Sequence, residues 1–326
     1  MMLRNYIVTI FSILAFTVLA TGQSEQNSSE SNWAIVIHGG AGNFHFADIE
    51  EAKREAYLNK LSEAIEFGAK LLKEGGTSID AVEGAIRMLE DSPLFNAGKG
   101  SVFTHEGAIE MDASIMNGEN LNAGAVAGVS KIKNPISGAR LIMEKSRHVM
   151  LSGQGADSYA ALNKLALEDS SYFRTENRLK QLKDMLEKEG KMGTVGCVAF
   201  DKHGNLAAGT STGGMTNKEY GRIGDSPIIG CGTYANNNTC GISFTGHGEF
   251  IIREVAAHNI SALMEYGHLP LQEAMQIVIL EKLQQLGGSA GAIGIDNNGQ
   301  IHWAFNTTAM FRASMSNSSA KVVEVD

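Results

Sequence analysis

Blocks of apolar and polar residues alternate along the chain and predict its strands and helices. Trp33–Gly42 is an apolar run that ends in glycines, which is typical of a buried strand that breaks into a turn. Over Asp48–Lys73 the apolar residues recur at helical spacing. Thr77 is a good N-cap with Asp80 three residues later, so a second helix is predicted to run to about Glu90.

The segments that follow are shorter and richer in turn residues. Ser92–Gly100 is predicted to be a loop, and the small apolar residues of Ala123–Ser130 indicate a tightly packed strand. Asp157–Leu167 has helical spacing. Residues 170–193 are polar and charged, and they predict a flexible linker, with a solvated helix as the alternative for their central part.

The second half begins with strands and continues with helices. Its predicted elements are the hairpin strands Thr194–Phe200 and Asn205–Thr210, the strand Cys240–Gly246, the helices Glu249–Tyr266 and Leu271–Leu286, and a last hairpin of Ala290–Asp296 and Gln300–Phe305. Strands, helices and again strands on both sides of the linker favour packed sheets covered by helices.

Composition and charge exclude some classes of protein. The chain has 326 residues, 43% of them hydrophobic, and a formal net charge of −9, so it can bury a core and lacks the basic character of a nucleic-acid-binding protein. Its three cysteines, Cys197, Cys231 and Cys240, are an odd number, which argues against a disulfide scaffold. Their spacing fits no zinc site.

Residues 1–22 have the three parts of a secretory signal peptide. Met1–Asn5 carries one arginine, Tyr6–Ala20 is apolar and uncharged, and the small residue Gly22 follows. An uncleaved membrane anchor is the alternative, although the apolar run is short for a transmembrane span. The sequence therefore predicts export to the periplasm or out of the cell, without stable insertion in a membrane.

The pair Gly193-Thr194, at the start of a predicted strand, suggests a bond that the protein cleaves in itself. A threonine hydroxyl is a poor nucleophile unless a base stands beside it. If Thr194 became the first residue of a chain, its own α-amine, with a pKa near 8, would supply that base. The Thr194 hydroxyl would first attack the carbonyl of Gly193, which has no side chain to shield it.

Residues downstream of Thr194 form a predicted binding site for a zwitterion. Thr212 ends a strand beside two glycines, and Arg222 and Asp225 stand three residues apart in a loop. Arg222 can bind a carboxylate with two parallel hydrogen bonds, and Asp225 can accept an ammonium group. Thr245 and Gly246 are predicted to hold an oxyanion. The expected substrate is an L-amino acid with an acyl group one carbon further on, as in asparagine; a local Arg222–Asp225 salt bridge is the alternative.

Nine motifs in order resemble one family. They are HGGAG, SPLFNAGKGSVF, MDASIM, AGAVAGVSKIKNPI, GTVGCVAFD, TSTGGMTNK, GRIGDSPIIG, YANN and TGHGE, and they extend from Ile35 to Arg312. The chain resembles the plant-type L-asparaginases and isoaspartyl peptidases, which are N-terminal nucleophile hydrolases. The resemblance implies an α+β fold, a four-layer αββα sandwich. It also implies self-cleavage into subunits of residues 23–193 and 194–326, assembled as a dimer of such pairs.

The resemblance also assigns roles to individual residues. It implies that Thr194 is the nucleophile supported by Thr212, and that Arg222 and Asp225 bind the α-carboxylate and the α-amine of L-asparagine or of a β-aspartyl dipeptide. Asn96 would line the site near the nucleophile, and Thr245 and Gly246 would form the oxyanion hole.

The family requires no cofactor, but it implies a structural sodium ion bound by main-chain carbonyls. The matching residues are Leu89, Glu90, Ser92, Phe95, Ala97 and Lys99. Lys99 is a departure from the family pattern, in which an apolar residue is commoner. His247 is another, since a threonine is more usual there, and it is interpreted as a solvated loop residue.

Three alternative functions remain. A glycosylasparaginase would suit an exported chain, but that branch tends to have TSTNG where this chain has TSTGG, with Gly214. A serine esterase would use Ser211 of a formal G-x-S-x-G motif, followed by Asp225 and by His247 or His258. A non-catalytic amino-acid-binding protein would need only Arg222 and Asp225. His38 is interpreted as a packing residue.

Overall fold

The computed structural model describes residues 32–185 and 193–325, and these fall within one compact unit. The predicted signal peptide and residues 186–192 of the predicted linker lie outside the described residues. The strands in chain order are β1 Ala34–Gly42, β2 Met111–Asn117, β3 Ala123–Val129, β4 Met150–Ser152, β5 Val195–Phe200, β6 Leu206–Thr212, β7 Thr233–Ala235, β8 Cys240–Gly246, β9 Ala290–Asp296, β10 Ile301–Phe305, β11 Ala309–Ser316 and β12 Val322–Glu324.

Nine α-helices are described along the chain in residues 32–185 and 193–325. They are α1 Glu51–Lys73, α2 Ser78–Glu90, α3 Pro135–Lys145, α4 Gly153–Leu162, α5 Ser170–Phe173, α6 Glu176–Met185, α7 Gly248–Glu254, α8 Ala256–Gly267 and α9 Leu271–Gln276. As predicted, the Thr77 hydroxyl caps α2, accepting the N–H of Asp80 at 3.2 Å.

Two sheets pack face to face and helices cover both outer faces. The larger sheet has the order β12-β11-β1-β5-β6-β2-β3-β4, and the smaller has the order β10-β9-β8-β7. Helices α1, α2 and α3 contact the larger sheet, and α8 and α9 contact the smaller one, while β1, β5 and β6 contact β8 or β9 across the interface. The predicted αββα sandwich is therefore confirmed.

Side chains of β1 point alternately to the two faces of the larger sheet, so this strand contributes to two hydrophobic cores. Ile35 and Ile37 of β1 join the core beneath the helices, whereas Ala34 and Val36 join the core between the sheets. Both sets are fully buried, so the first four residues of β1 are all apolar and lack the polar alternation of a half-exposed strand.

Several predicted boundaries differ from the structure. Strand β1 continues through its glycines to Gly42, because β11 pairs along its length and a register irregularity between His38 and Gly40 absorbs the kink. The helix predicted over Asp157–Leu167 is wrong at both ends, since α4 spans Gly153–Leu162 and Lys164 then takes a left-handed φ of 60°.

The two predicted amphipathic helices of the second half are each interrupted. Val255 has a φ of 48° and separates α7 from α8. The other continues from α9 into a π-helical segment, Ile277–Leu283. The described part of the predicted linker forms α5 and α6, of which Phe173 is fully buried, so the helical alternative holds there.

Among the described residues, all three cysteines are buried and unpaired, which agrees with the prediction that the chain is not a disulfide scaffold. No described helix has both the length and the apolar character needed to cross a membrane.

Candidate active site

The predicted site lies where β5 begins and β6 ends. Even-numbered residues of these two strands, such as Val198 and Ala208, face the second sheet. Thr194 stands directly before β5, is 7% exposed and shares this parity. Val195 pairs with Ser211, so Thr194 comes beside Thr212, the last residue of β6. The hairpin therefore brings the two threonines together between the sheets.

Hydroxyl and carbonyl groups form a short relay across the Gly193–Thr194 bond. The Thr194 hydroxyl donates to Thr212 Oγ1 at 3.1 Å, and Thr212 Oγ1 donates to the carbonyl oxygen of Gly193 at 3.1 Å. Thr212 Oγ1 also accepts the N–H of Gly214 at 3.0 Å. With one hydrogen on each hydroxyl, this direction of donation satisfies all three bonds.

The side chain of Asn96 makes a second contact with the same carbonyl. Its Nδ2 donates to Gly193 O and to Gly214 O, both at 2.7 Å, and its Oδ1 accepts the N–H of Val102 at 3.0 Å. Asn96 is 4% exposed and fully hydrogen-bonded, so its orientation is fixed. Two donors therefore converge on the Gly193 carbonyl oxygen, as in a site built to stabilise an oxyanion.

Glycines allow backbone to approach these groups closely. A Cβ on Gly40, which has a φ of 111°, would lie 3.2 Å from Gly193 Cα and 3.3 Å from Thr194 N. A Cβ on Gly213 would lie 2.5 Å from Asn96 Oδ1. The HGGAG segment of β1 thus passes directly against the Gly193–Thr194 bond.

His38 contacts the other side of Thr194 and does more than fill space. Its Nδ1 lies 3.1 Å from the carbonyl oxygen of Thr194, and its Nε2 lies 3.0 Å from Ser243 Oγ. Because a carbonyl only accepts, Nδ1 carries the hydrogen and Nε2 accepts from Ser243. Burial lowers the pKa of His38 to about 3, against a smaller opposing effect of the bond to Thr194, so the ring is neutral.

A chain of buried hydroxyls continues from Ser243 towards the substrate loop. Ser243 Oγ lies 2.7 Å from Thr210 Oγ1, and Thr233 donates to Thr210 at 2.6 Å. The Ser114 hydroxyl lies 2.8 Å from Thr233 Oγ1 and 2.6 Å from the carbonyl of Ser226. The residue beside Ser226 is Asp225, so this chain connects the nucleophile strand to the loop predicted to bind substrate.

One pocket collects most of the predicted residues. Its lining residues are Gly193, Thr194, Thr212, Gly214, Met215, Arg222, Gly224, Asp225, Ser226 and Gly246. The predicted nucleophile, its supporting threonine and the two predicted substrate-binding side chains thus share one cavity.

Asp225 lies at the inner end of the binding loop and has an unmatched oxygen. The residue is 4% exposed, and its Oδ2 has no hydrogen-bond partner among the described residues. Burial raises the pKa of Asp225 to about 7, while the charge of Arg222 opposes this and the charge of Glu249 adds to it. A buried carboxylate oxygen without a hydrogen-bond partner is a fitting receptor for an ammonium group.

Arg222 does not pair with Asp225, as the alternative interpretation of the loop required. Its partner is Glu249, with Nε to Oε1 at 2.9 Å and Nη2 to Oε2 at 3.1 Å. The alternative of a local Arg222–Asp225 salt bridge is therefore wrong.

The predicted oxyanion pair stands on the second sheet. Thr245 is 1% exposed, and its Oγ1 accepts the N–H of Ala41 at 3.3 Å, which leaves its hydrogen available to another acceptor. Gly246 lines the pocket with a φ of 145°, and a Cβ there would lie 2.4 Å from Ser289 O. Half-buried His247 accepts the N–H of Ser289 at 3.3 Å, so it is not the solvated loop residue that was predicted.

The loop predicted to bind sodium includes Asn96, and two of its carbonyls pack against glycine backbone. A Cβ on Gly98 would lie 2.5 Å from Glu90 O, and one on Gly100 would lie 2.0 Å from Phe95 O, so only glycine fits at either position. The Lys99 ammonium lies 5.1 Å from the centre of the Tyr172 ring. Main-chain carbonyl oxygens are hard ligands, the kind that a cation such as sodium takes.

The other members of the predicted sodium set already take part in turns. Leu89 O accepts the N–H of Ser92 at 3.2 Å, and Ala97 O accepts that of Gly100 at 3.1 Å. Each carbonyl keeps a second lone pair. No cluster of histidine, cysteine, aspartate or glutamate suited to a metal occurs in residues 32–185 or 193–325.

Ser211 faces away from the pocket, which overturns the esterase alternative. Its parity on β6 is opposite to that of Thr212, and its hydroxyl donates to Glu90 Oε1 at 2.6 Å. Ser211 is fully buried under α2, and His258 packs against Tyr234 with ring centres 5.1 Å apart. Burial raises the pKa of Glu90 to about 8, against the hydrogen bond from Ser211, so Glu90 is not a base that activates Ser211 at neutral pH.

Some site residues were not predicted. Gly40 and Gly213 were part of quoted motifs, but sequence alone does not show which groups they approach. Glu249 belongs to the TGHGE motif and was given no role. The contact of His38 with Thr194 joins residues 156 positions apart, and no local pattern signals it.

A threonine at the head of a central strand, between two sheets under helices, is the architecture of an N-terminal nucleophile hydrolase. The chain belongs to the asparaginase family, which it matches over residues 31–325. It is 47% identical to an isoaspartyl peptidase of Salmonella typhimurium, with 86% of this chain and 94% of the relative aligned.

Other relatives carry similar names. An isoaspartyl peptidase of Escherichia coli is 48% identical, with 86% of this chain and 91% of the relative aligned. An isoaspartyl peptidase/L-asparaginase of Bos taurus is 42% identical, with 85% of this chain and 91% of the relative aligned. The family prediction made from the nine motifs is confirmed.

Proposed function

We propose that this protein is a threonine hydrolase that activates itself by cleaving the Gly193–Thr194 bond. The mature enzyme then cleaves the side-chain amide of L-asparagine or of isoaspartyl dipeptides and releases L-aspartate. The observation that carries the proposal is the relay in which Thr194 donates to Thr212 and Thr212 donates to the Gly193 carbonyl. Membership in the asparaginase family and relatives named isoaspartyl peptidase support the substrate class.

Self-cleavage starts with the intact chain. Thr194 Oγ bonds to the Gly193 carbonyl carbon, its proton passes to Thr212, and the Thr212 proton passes to the former carbonyl oxygen. Asn96 Nδ2, at 2.7 Å, stabilises the charge that develops on that oxygen. The Gly193–Thr194 C–N bond then breaks as the C=O re-forms, and the proton on that oxygen passes to the leaving nitrogen, which leaves an ester between Gly193 and Thr194 Oγ. Water hydrolyses the ester, which yields the Gly193 carboxylate, a free Thr194 hydroxyl and a free α-amine.

The mature site uses the same nucleophile with a new base. The α-amine of Thr194, with an ordinary pKa near 8, removes the hydroxyl proton as Oγ attacks the side-chain carbonyl of the substrate. Thr245 and Gly246 stabilise the oxyanion. Ammonia or an amino acid leaves with the proton from the amine. Water then hydrolyses the aspartyl ester on Thr194, which frees L-aspartate and restores the hydroxyl.

Arg222 and Asp225 select the substrate by its zwitterionic end. Arg222 binds the α-carboxylate, and the unmatched Oδ2 of Asp225 receives the α-ammonium. Both L-asparagine and β-aspartyl dipeptides carry these groups on one carbon. The family and the named relatives do not favour the glycosylasparaginase alternative.

Further properties of targeting, assembly and ion binding belong to this proposal. Residues 1–22 direct export to the periplasm or out of the cell, and the mature subunits are 23–193 and 194–326. Two such pairs associate as a dimer. The loop carbonyls of Leu89, Glu90, Ser92, Phe95, Ala97 and Lys99 hold a structural sodium ion, supported by the second lone pair that Leu89 O and Ala97 O keep beside their turn hydrogen bonds. No other cofactor is required.

The test is turnover by matched variants. Wild type, Thr194→Ala and Thr194→Ser are incubated with L-asparagine, a β-aspartyl dipeptide and N-acetylglucosaminyl asparagine, and released L-aspartate is measured. Wild type should use one or both of the first two, Thr194→Ser should retain partial activity and Thr194→Ala none. Equal turnover by Thr194→Ala would refute the proposal, and preference for the third substrate would revive the glycosylasparaginase alternative.

A further inference from the structure

Arg222 and Glu249 form a two-bond ion pair at the mouth of the pocket. Arg222 Nε donates to Oε1 at 2.9 Å, and Nη2 donates to Oε2 at 3.1 Å. Both bonds use the side edge of the guanidinium, which leaves the end edge, formed by Nη1 and the second N–H of Nη2. A planar guanidinium can bind one carboxylate along each of these edges.

Three glycines lie beside this guanidinium, where a side chain would contact it. A Cβ on Gly224 would lie 2.8 Å from Nη1, and one on Gly248 would lie 2.9 Å from Nη2. A Cβ on Gly214 would lie 3.6 Å from Nη1. Gly214 and Gly224 line the pocket together with Arg222, so Nη1 is on the pocket side of the group.

Glu249 is much more exposed to solvent than Arg222, as expected if the pocket lies on the other side of the guanidinium. The Glu249 side chain is 54% exposed, whereas that of Arg222 is 19% exposed. Glu249 thus lies on the solvent side of the guanidinium and the pocket on the other. An ion pair this exposed contributes little to folding stability, so its presence calls for another explanation.

We propose that Glu249 is a positioning residue for the carboxylate subsite. It holds the side edge of Arg222, so that the end edge faces the α-carboxylate of the substrate. Glu249 itself does not touch the substrate. The inference rests on the proposed function, because it takes the ligand to be a zwitterionic amino acid or β-aspartyl dipeptide.

A competing arrangement predicts the opposite result. If the substrate bound the side edge of Arg222, Glu249 would occupy its place and would have to leave. Removal of the Glu249 charge would then strengthen binding of the substrate. Positioning and competition are therefore distinguished by the sign of the change in affinity.

The experiment compares Glu249→Gln with wild type in two assays. Glutamine retains one acceptor for the guanidinium but loses the charge and the second bond. We expect KM for the substrate and Kd for the product L-aspartate, measured by calorimetry, to rise about tenfold, the effect of losing one charge-assisted hydrogen bond. The value of kcat should stay within about twofold, because Glu249 does not reach the reacting carbonyl. Glu249→Asp should recover part of the affinity.

A control is an arginine–glutamate contact of similar exposure on α3. Arg140 Nε donates to Glu144 Oε1 at 2.7 Å, with the two side chains 23% and 44% exposed, and Arg140 Nη1 also contacts Asp80 and Glu83. Glu144→Gln changes a glutamate that contacts an arginine without bearing on Arg222, and it should change neither KM nor Kd. Self-cleavage should be normal in both glutamine variants, because it involves no substrate carboxylate.

A second background shows whether Glu249 acts through Arg222. In Arg222→Met, which lacks the guanidinium, Glu249→Gln should change the Kd for L-aspartate by less than about twofold. An equal loss in both backgrounds would overturn the proposal, as would an unchanged or lower Kd in Glu249→Gln alone. The Kd is measured without turnover. A protein that binds L-aspartate but hydrolyses none of the substrates would therefore refute the proposed function, while the effect of Glu249→Gln on the Kd would still test the positioning role. A wild type that fails to bind L-aspartate would refute the inference as well.

Discussion

Asn96 Nδ2 donates to the carbonyl oxygen of Gly193 at 2.7 Å, across 97 residues of chain. Thr212 donates to the same oxygen from β6. The intact chain therefore holds the carbonyl next to its nucleophile between two donors. If this is the arrangement for self-cleavage, loss of either donor must slow the reaction.

Asn96→Asp tests this with a minimal change. The carboxylate retains Oδ1 for the N–H of Val102 but removes both Nδ2 bonds. We expect the rate of self-cleavage to fall about 10²-fold or more, as when an oxyanion donor is removed. The fraction of cut chain is followed on denaturing gels after synthesis, with the melting temperature as a control for folding. Cleavage at the wild-type rate in a folded variant would contradict this role.

Asp225 predicts a pH dependence of substrate binding. Burial raises its pKa to about 7 in the free protein, so it is protonated below that pH and ionised above it. The substrate ammonium requires the ionised form, and the Kd for L-aspartate should therefore fall as pH rises through about 7. Arg222, Glu249 and Asp112 also act electrostatically on this carboxyl. Asp225→Asn should bind weakly with no such step, and a step that persists in this variant would assign it to another group.

His38 predicts a loss of stability in acid. Its folded pKa of about 3 lies below the ordinary 6.5, so the unfolded chain binds the extra proton between these values. Stability should therefore fall as pH drops from 6.5 towards 3, by about 2 kcal/mol at pH 5 from this residue. Urea unfolding of the single chain locked by Thr194→Ala measures it.

The control is a glutamine at the same position. His38→Gln in that locked chain should cost about 1–3 kcal/mol at pH 7.5 and clearly less at pH 5. Replacement of His105, a histidine whose side chain is 48% exposed, should show no such difference. A cost from His38→Gln that is equal at both pH values would contradict the neutral buried ring.

Ser211 separates the two nucleophile hypotheses. Its hydroxyl donates to Glu90 beneath α2, away from the pocket. Ser211→Ala leaves Glu90 Oε1 its bond from the N–H of Ile136 at 2.9 Å, so we expect a modest loss of about 1 kcal/mol in stability. Turnover should stay within about threefold of wild type. Complete loss of activity with a normal melting temperature would restore the serine as a candidate.

Sequence patterns predicted what depends on neighbours along the chain. The pairing of Thr194 with Thr212 follows from one hairpin, and Arg222 and Asp225 share one loop. The ion pair between Arg222 and Glu249 could not be predicted in this way, because Glu249 lies in α7, after β7 and β8, and no sequence periodicity connects the two residues. Strand β11 was missed, although it pairs with β1 along most of its length, since its contacts join residues more than 250 positions apart.

The helix interruptions escaped prediction for another reason. Apolar spacing continues across Val255 although its φ of 48° ends α7, because hydrophobic periodicity reports burial and not backbone conformation. The π-helical segment Ile277–Leu283 buries Val278, Ile279 and Leu283, and apolar spacing alone does not distinguish its wider turn from that of an α-helix. Sequence motifs were enough to identify the candidate site residues. Their contacts with Asn96, His38 and Glu249 depend on packing between segments that are distant in sequence.

The most direct test of the account is the intact mass and N-terminal sequence of the purified mature protein. The account predicts two polypeptides, the smaller beginning at Thr194, and a single uncut chain in Thr194→Ala. A wild-type chain that stays whole yet hydrolyses L-asparagine or a β-aspartyl dipeptide would contradict the central claim that the nucleophile is an N-terminal threonine.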